Sequence, residues 1–239
     1  MKNNKKVTMS AAVLFESKKK LRIIKNIEIP ELTKGQVLVE IYYTSICHSQ
    51  LMEIGGKRGE DKYLPHMLGH EGCGKVLEVG KGVKKIKKGD FVIIGWIKGI
   101  GLDVSGAKYQ KNNYIINSGP VSTFSTHSII SENRLIKMPK DLNKKYAPLY
   151  GCAIPTGIGM ILNQTTNRKN KNICIVGLGG IGIFSLIAAK YCKFNKIIVI
   201  DNDRNKLKLA KIFGADLAID ANQKNIKKEI FNYLRNKNL

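Results

Sequence analysis

Short runs in which apolar and polar residues alternate fill the first half of the chain: Ala11 to Phe15, Leu21 to Ile24, Gln36 to Tyr43 and Gly74 to Val79, with Gly or Pro between most of them. A period of two turns one face of each run toward a core and the other toward water, so this half reads as β-rich, a small barrel or sandwich. Gly89-Asp90 makes a turn before the apolar strand Phe91 to Ile94, and the polar stretch from about Lys98 to Gly119 reads as one long loop. A loop of that size exceeds the usual connection and marks a functional segment or an insertion.

After Pro155 the pattern changes. Asn172 to Val176 is a compact apolar strand, Gly180 to Tyr191 a helix, Lys196 to Asp201 a strand, Arg204 to Phe213 a helix and Leu217 to Asp220 a third strand, followed by a basic amphipathic segment from Asn225 to Leu234. Apolar runs without strict alternation suit strands covered on both faces, which is the parallel βαβ case. A doubly wound nucleotide domain has two mononucleotide halves, and the pattern supplies only the first. The expected fold class is α/β plus β: a β-barrel-type domain over 1–153, then a partial, truncated doubly wound parallel sheet over 154–239.

Composition narrows this further. With 43% hydrophobic and 25% charged residues in 239, the chain reads as soluble and globular, and disorder is excluded as its main state. No run approaches the roughly 20 apolar residues of a membrane span, and Met1 to Lys6 leads into a polar, alternating segment rather than a signal-peptide core, so a cytoplasmic location is the default. The balance of 41 Lys+Arg against 18 Asp+Glu, a formal +23, points at first to nucleic acid or an anionic membrane. The lysines are spread along the chain beside abundant Asn and Ile, as an AT-rich genome encodes. No zinc finger, RNA-recognition signature or aromatic-interleaved stripe accompanies them, so neither partner is expected. Five cysteines, Cys47, Cys73, Cys152, Cys174 and Cys192, are too few and too scattered for a disulfide scaffold and read as reduced thiols or metal ligands.

Gly177-Leu178-Gly179-Gly180-Ile181-Gly182 follows a strand and opens a helix, and Asp201 ends the next strand. In that context Gly177 permits the tight turn, Gly179 lets backbone N–H groups approach a pyrophosphate and Gly182 lets the helix pack closely. Asp201 would accept from the ribose hydroxyls and repel a 2′-phosphate, favouring NAD over NADP, although Arg204 blurs that preference. A second constellation is Cys47-His48-Ser49, Gly69-His70-Glu71 and Gly151-Cys152. Singly each is bland. Together two thiols and an imidazole supply three ligands of a catalytic zinc site with an open fourth position, and Glu71 would orient His70 or briefly join the coordination.

These motifs, with Gly72-Cys73-Gly74 and Thr156-Gly157, resemble the zinc-containing medium-chain alcohol dehydrogenase family in order and spacing from about Ala11 to Asp220. The resemblance implies a GroES-like catalytic domain and a Rossmann domain with the active site in the cleft between them, and a homo-oligomer for a full-length member. It further implies Cys47, His70 and Cys152 as ligands of one catalytic Zn2+, with Glu71 as the neighbouring acid and Ser49 bonding the substrate hydroxyl and passing its proton outward. His48 would face the cofactor pyrophosphate, and Thr156 would lie on its nicotinamide side. The implied reaction is hydride transfer between an alcohol, or its aldehyde or ketone, and NAD(H).

Three departures qualify it. The Lys98–Gly119 stretch lacks the four cysteines of a structural zinc lobe, so no structural zinc is expected; Gln50 stands where an acid is common and Met52 where some members end a proton relay; and the chain stops after the first mononucleotide half. A polyol, amino-alcohol or sugar dehydrogenase of the same family is the alternative, and a non-catalytic zinc-binding or basic nucleic-acid-binding remnant the alternative of another class. Trp96, after a strand near the presumed cleft, reads as core packing in preference to a pocket wall.

Overall fold

The computed structural model describes residues 7–166 and 171–235; the leading Met1–Lys6, read above as carrying no targeting core, lies outside them. The chain forms two units, Met1–Cys152 and Ala153–Leu239. No helix among the described residues is long and apolar enough to cross a membrane.

The first unit is built from strands β1 (Thr8–Leu14), β2 (Arg22–Glu28), β3 (Gln36–Thr44), β4 (His66–Met67), β5 (Gly72–Val79), β6 (Phe91–Ile94), β7 (Lys108–Lys111), β8 (Tyr114–Ser118), β9 (His127–Ser131) and β10 (Leu135–Lys137). One short helix, α1 (His48–Ile54), joins β3 to β4. The order β1-β2-β7-β8-β4 closes a barrel, and β10-β6-β5-β3-β9 form a second sheet. Val13, Ile27, Met67, Tyr109 and Ile116 fill the barrel, while Val37, Val39, Val76, Val92 and Ile94 make a separate core on the second sheet.

The single loop expected from Lys98 to Gly119 is not what forms: β7 and β8 occupy its second half as a hairpin. Tyr109 pairs with Ile116 across the hairpin and both are fully buried, while Lys108, Gln110 and Lys111 surround Tyr109 and hide the apolar alternation. Asn112, at φ 48°, makes the turn, a left-handed conformation that asparagine tolerates better than most residues. The first half of the stretch does run as loop. Buried Glu132 anchors it by accepting from the backbone N–H of Leu102 (2.9 Å) and from Lys84 and Lys85 (both 2.7 Å).

The second unit comprises α2 (Ala153–Gln164), β11 (Asn172–Val176), α3 (Gly180–Tyr191), β12 (Lys196–Asp201), α4 (Arg204–Ile212), β13 (Leu217–Asp220) and α5 (Ile226–Arg235). Its strands form a parallel sheet in the order β11-β12-β13. Central β12 is buried from Ile197 to Asp201, which is why its apolar run is unbroken. Helix α2 is an element that the sequence pattern does not predict. Pro155 sits in its first turn, where the missing N–H has no intrahelical partner to lose.

Asp201 closes β12 and clamps what precedes α3. One carboxylate oxygen accepts from Leu178 N–H (2.6 Å) and the other from Asp203 N–H (2.8 Å). Burial alone would raise its pKa; the N–H groups of Leu178 and Asp203, with Lys206 nearby, outweigh that and hold the carboxyl below the ordinary value of 3.8.

Two outcomes follow from these buried bonds. The Tyr109 hydroxyl accepts from Ile129 N–H at 2.7 Å inside the barrel. Tyr109→Phe therefore strands that donor and should lower unfolding free energy by about 1–3 kcal/mol in urea titrations; an unchanged midpoint would mean that the N–H finds another acceptor. For Asp201, whose folded pKa is depressed, the contribution is present above pH 3.8 and is lost as pH falls through the lower folded value. Asp201→Asn should cost about 1–3 kcal/mol at neutral pH, with the gap to wild type narrowing below pH 3.8. A gap that stays constant through that range, followed by circular dichroism, would rule out the ionised carboxylate as the clamp.

Candidate functional site

Three separate stretches of the first unit deliver the thiols, imidazole and carboxylate singled out in the sequence. Cys47 caps α1 just after β3; His70 and Glu71 lie between β4 and β5; Cys152 follows the 3-10 turn Ala147–Gly151. Ligand atoms of Cys47, His70, Glu71 and Cys152 all lie within 4.8 Å of one another. His70 Nε2 is 3.3 Å from Cys152 Sγ, close to the N···S edge of about 3.5 Å that tetrahedral zinc bonds to nitrogen and sulfur produce. Burial, and after it the Arg58 guanidinium, lowers the His70 pKa, so the imidazole favours the neutral form that ligates metal. Two soft sulfurs, one imidazole and an adjacent carboxylate fit a zinc ion.

Local backbone chemistry makes this convergence possible. Gly69, at φ +93°, turns the chain into His70 where a Cβ would lie 2.5 Å from Thr123 Oγ1. Gly151 presses against β6, with room for a Cβ only 2.2 Å from the Ile94 carbonyl oxygen. The Glu71 carbonyl accepts from Thr44 Oγ1 (2.9 Å) and Thr123 Oγ1 (3.2 Å). Gln50, buried on α1, spans two of the donor residues: its Oε1 accepts from Cys47 N–H (3.1 Å) and its Nε2 lies against His70 Nδ1. Sequence spacing held a signal for this, since Gln50 is one helical turn beyond Cys47.

A cavity of about 760 Å³ opens beside these groups and is lined by Cys47, Ser49, His70 and Cys152. Ser49 Oγ lies 3.5 Å from His70 Nδ1, whereas His48 is exposed at the first residue of α1. Trp96 corrects the core-packing reading. It is 50% exposed and lines the cavity, its ring centroid 6.0 Å from that of His70 and 5.3 Å from the Arg134 guanidinium. Beyond Ile94 the chain has left β6, so Trp96 is not held in the sheet. Of the three cysteines outside the cluster, Cys73 is buried, Cys192 intermediate and Cys174 exposed on edge strand β11.

The second unit carries the glycine turn. Gly177, at φ +87°, and Gly179 face open space where a Cβ would touch nothing within 4 Å; at Gly182 a Cβ would lie 1.9 Å from the Gly177 carbonyl oxygen, so the turn can close on α3 only with glycine there. Gly180 and Ile181 begin α3, and no side chain among the described residues caps that end, whereas Asp203 caps α4 through Asn205 N–H (2.8 Å). Thr156 lies on α2 beside Gly157, whose carbonyl accepts from Ser185 Oγ (3.0 Å) on α3. Arg204 Nε pairs with Asp220 Oδ2 at 3.3 Å.

Residues 33–140 match the family model described as an alcohol dehydrogenase GroES-like domain. S-(hydroxymethyl)glutathione dehydrogenases from Escherichia coli O6:H1 and Photobacterium damsela subsp. piscicida are 32% and 33% identical over 238 and 237 residues. Those stretches are 89% of this chain and 64% of each relative, so the chain spans a little under two thirds of their length. Among solved structures, an alcohol dehydrogenase zinc-binding domain protein from Burkholderia ambifaria is 25% identical with a TM-score of 0.84, over 95% of this chain and 68% of that one. Benzyl alcohol dehydrogenase from Acinetobacter calcoaceticus is 26% identical with a TM-score of 0.81, over 95% and 67%. In domain, sequence and fold alike, the chain is similar to the zinc-type alcohol dehydrogenases.

Proposed function

We propose that this chain takes part in hydride transfer between an alcohol, or its aldehyde or ketone, and NAD(H), with Zn2+ held by Cys47, His70 and Cys152. The observation that carries the reading is the convergence of those donors, from three distant stretches, on the wall of one cavity. When bound, zinc supplies Lewis acidity toward the substrate oxygen and the nicotinamide supplies the hydride acceptor. The chain's own groups do the rest. Ser49 Oγ, on the cavity wall beside the donors, bonds the substrate hydroxyl and receives its proton. His70 and Gln50 hold the donor face in register, and Trp96 shields the cavity from bulk water.

On the nucleotide side, the uncapped start of α3 and the open face of Gly177 and Gly179 suit a pyrophosphate. Asp201 retains lone pairs for ribose hydroxyls beyond those used by Leu178 and Asp203, and Arg204 is engaged by Asp220; both favour NAD over NADP. Arg58, Lys108 and Asn117 also line the cavity. They suit a substrate bearing carboxylate or hydroxyl groups away from the reacting carbon, as the name S-(hydroxymethyl)glutathione implies for the relatives, over a purely apolar alcohol.

The test uses the whole chain with Co2+ replacing zinc. Wild type should show sulfur-to-cobalt charge-transfer absorption and NAD+-dependent alcohol oxidation. Cys152→Ser should weaken the cobalt affinity read from that band by about 100-fold, or roughly 3 kcal/mol, and abolish turnover while NADH binding persists. A band and affinity unchanged in Cys152→Ser would overturn the ligand assignment.

A further inference from the structure

A second set of donors lies in the same unit, outside the cysteine cluster. Glu53 comes from the last turn of α1, Asp61 from the loop that follows and His66 from β4. Their ligand atoms lie within 4.8 Å of one another. His66 is 6% exposed, the Asp61 side chain 11%, and Glu53 and His66 both line the cavity.

The Asp61 carboxylate is already oriented, Oδ1 accepting from Tyr63 N–H at 3.0 Å and Oδ2 facing His66 Nε2 at 2.6 Å. Such an outer hydrogen bond is what fixes a ligating carboxylate in metal sites. Among the described residues the Glu53 carboxylate has no hydrogen-bond or ion-pair partner, so two converging carboxylates are matched by one imidazole.

We propose that Glu53, Asp61 and His66 form a second cation site, taking a divalent ion of borderline softness such as Zn2+ or Co2+. Two oxygens and one nitrogen select such ions over a purely oxygen-preferring cation, and the donors leave positions open toward the cavity. The ion neutralises the two carboxylates and replaces the hydrogen bond between His66 Nε2 and Asp61 Oδ2. Cys47 and Glu53 are separated by six residues of α1, on the order of 9 Å at the helical rise. The two sets share no donor residue, so either can be altered without touching the other's ligands.

Cobalt titration of the chelator-stripped whole chain separates the sites. Wild type should take up two equivalents, one raising sulfur-to-cobalt charge-transfer absorption and one giving only the weak ligand-field bands of an oxygen-nitrogen site. His66→Gln should remove the second equivalent and leave the charge-transfer band, while Cys152→Ser should do the reverse. Glu53→Gln, which leaves the Asp61–His66 pair in place and so guards against misfolding, should weaken the second equivalent at least tenfold. Uptake that ends at one equivalent in wild type, as an Asp61–His66 ion pair alone would give, overturns the proposal. So does a second equivalent that persists in both His66→Gln and Glu53→Gln. Loss of the charge-transfer band alone would bear on the cysteine ligands and leave this site standing.

Discussion

The candidate metal centre depends on one constraint: donor side chains from distant stretches of chain must meet without leaving buried backbone groups unpaired. The Glu71 carbonyl shows how this is met. It receives the hydroxyls of Thr44 and Thr123 and, at 3.4 Å, the N–H of Ser45, tying the end of β3 and the segment before β9 to the residue next to His70. Each bond is modest on its own, but the buried Glu71 and Thr123 lose a partner whenever one member of the cluster is removed. Gly151 completes the arrangement from the other side, because only a residue without a Cβ lets the chain carrying Cys152 lie so close to β6.

Gln50 illustrates the electrostatic side of the same constraint. The Gln50 amide meets both donor residues, its Oε1 accepting from Cys47 N–H and its Nε2 lying against His70 Nδ1. A carboxylate in its place would add a further anionic group to a cluster that already holds two thiols and Glu71. The amide fixes the two donor residues relative to each other without changing the charge of the site. In the second unit Asp201 does comparable work with a charged group: its two oxygens join the glycine turn to the start of α4, so whatever binds at that turn meets a preset backbone.

What was legible in the sequence follows from which interactions are local. Strands β6, β11, β12 and β13 and helix α3 carry complete hydrophobic periods, and the pattern predicts their limits. The β7–β8 hairpin is hidden because Tyr109 and Ile116 are its only fully buried residues, set among lysines and asparagines, and two residues do not make a period. Helix α1 has seven residues, too few for an amphipathic signature, although Cys47, Gln50 and Glu53 recur every third residue along it. The cysteine and histidine motifs were readable as a set, since two thiols and an imidazole make chemical sense only together. Nearness to β6 suggests a buried Trp96, but the chain leaves the sheet at Gly95 and the ring stands half exposed.

The formal charge of +23 looks hostile to binding cations, yet it acts mainly at a distance. At physiological ionic strength exposed charges are screened beyond a Debye length of about 8 Å, so scattered lysines set a broad field that draws anions toward the surface and affects how fast they arrive. Inside the cavity the signs are mixed, with Glu53 and His66 on the same wall as Arg58 and Lys108. A bound ion or substrate there answers to the few groups within contact distance, where desolvation strengthens each pair. The chemistry of this molecule is therefore set by where its eighteen acidic residues are gathered more than by the forty-one basic ones that outnumber them.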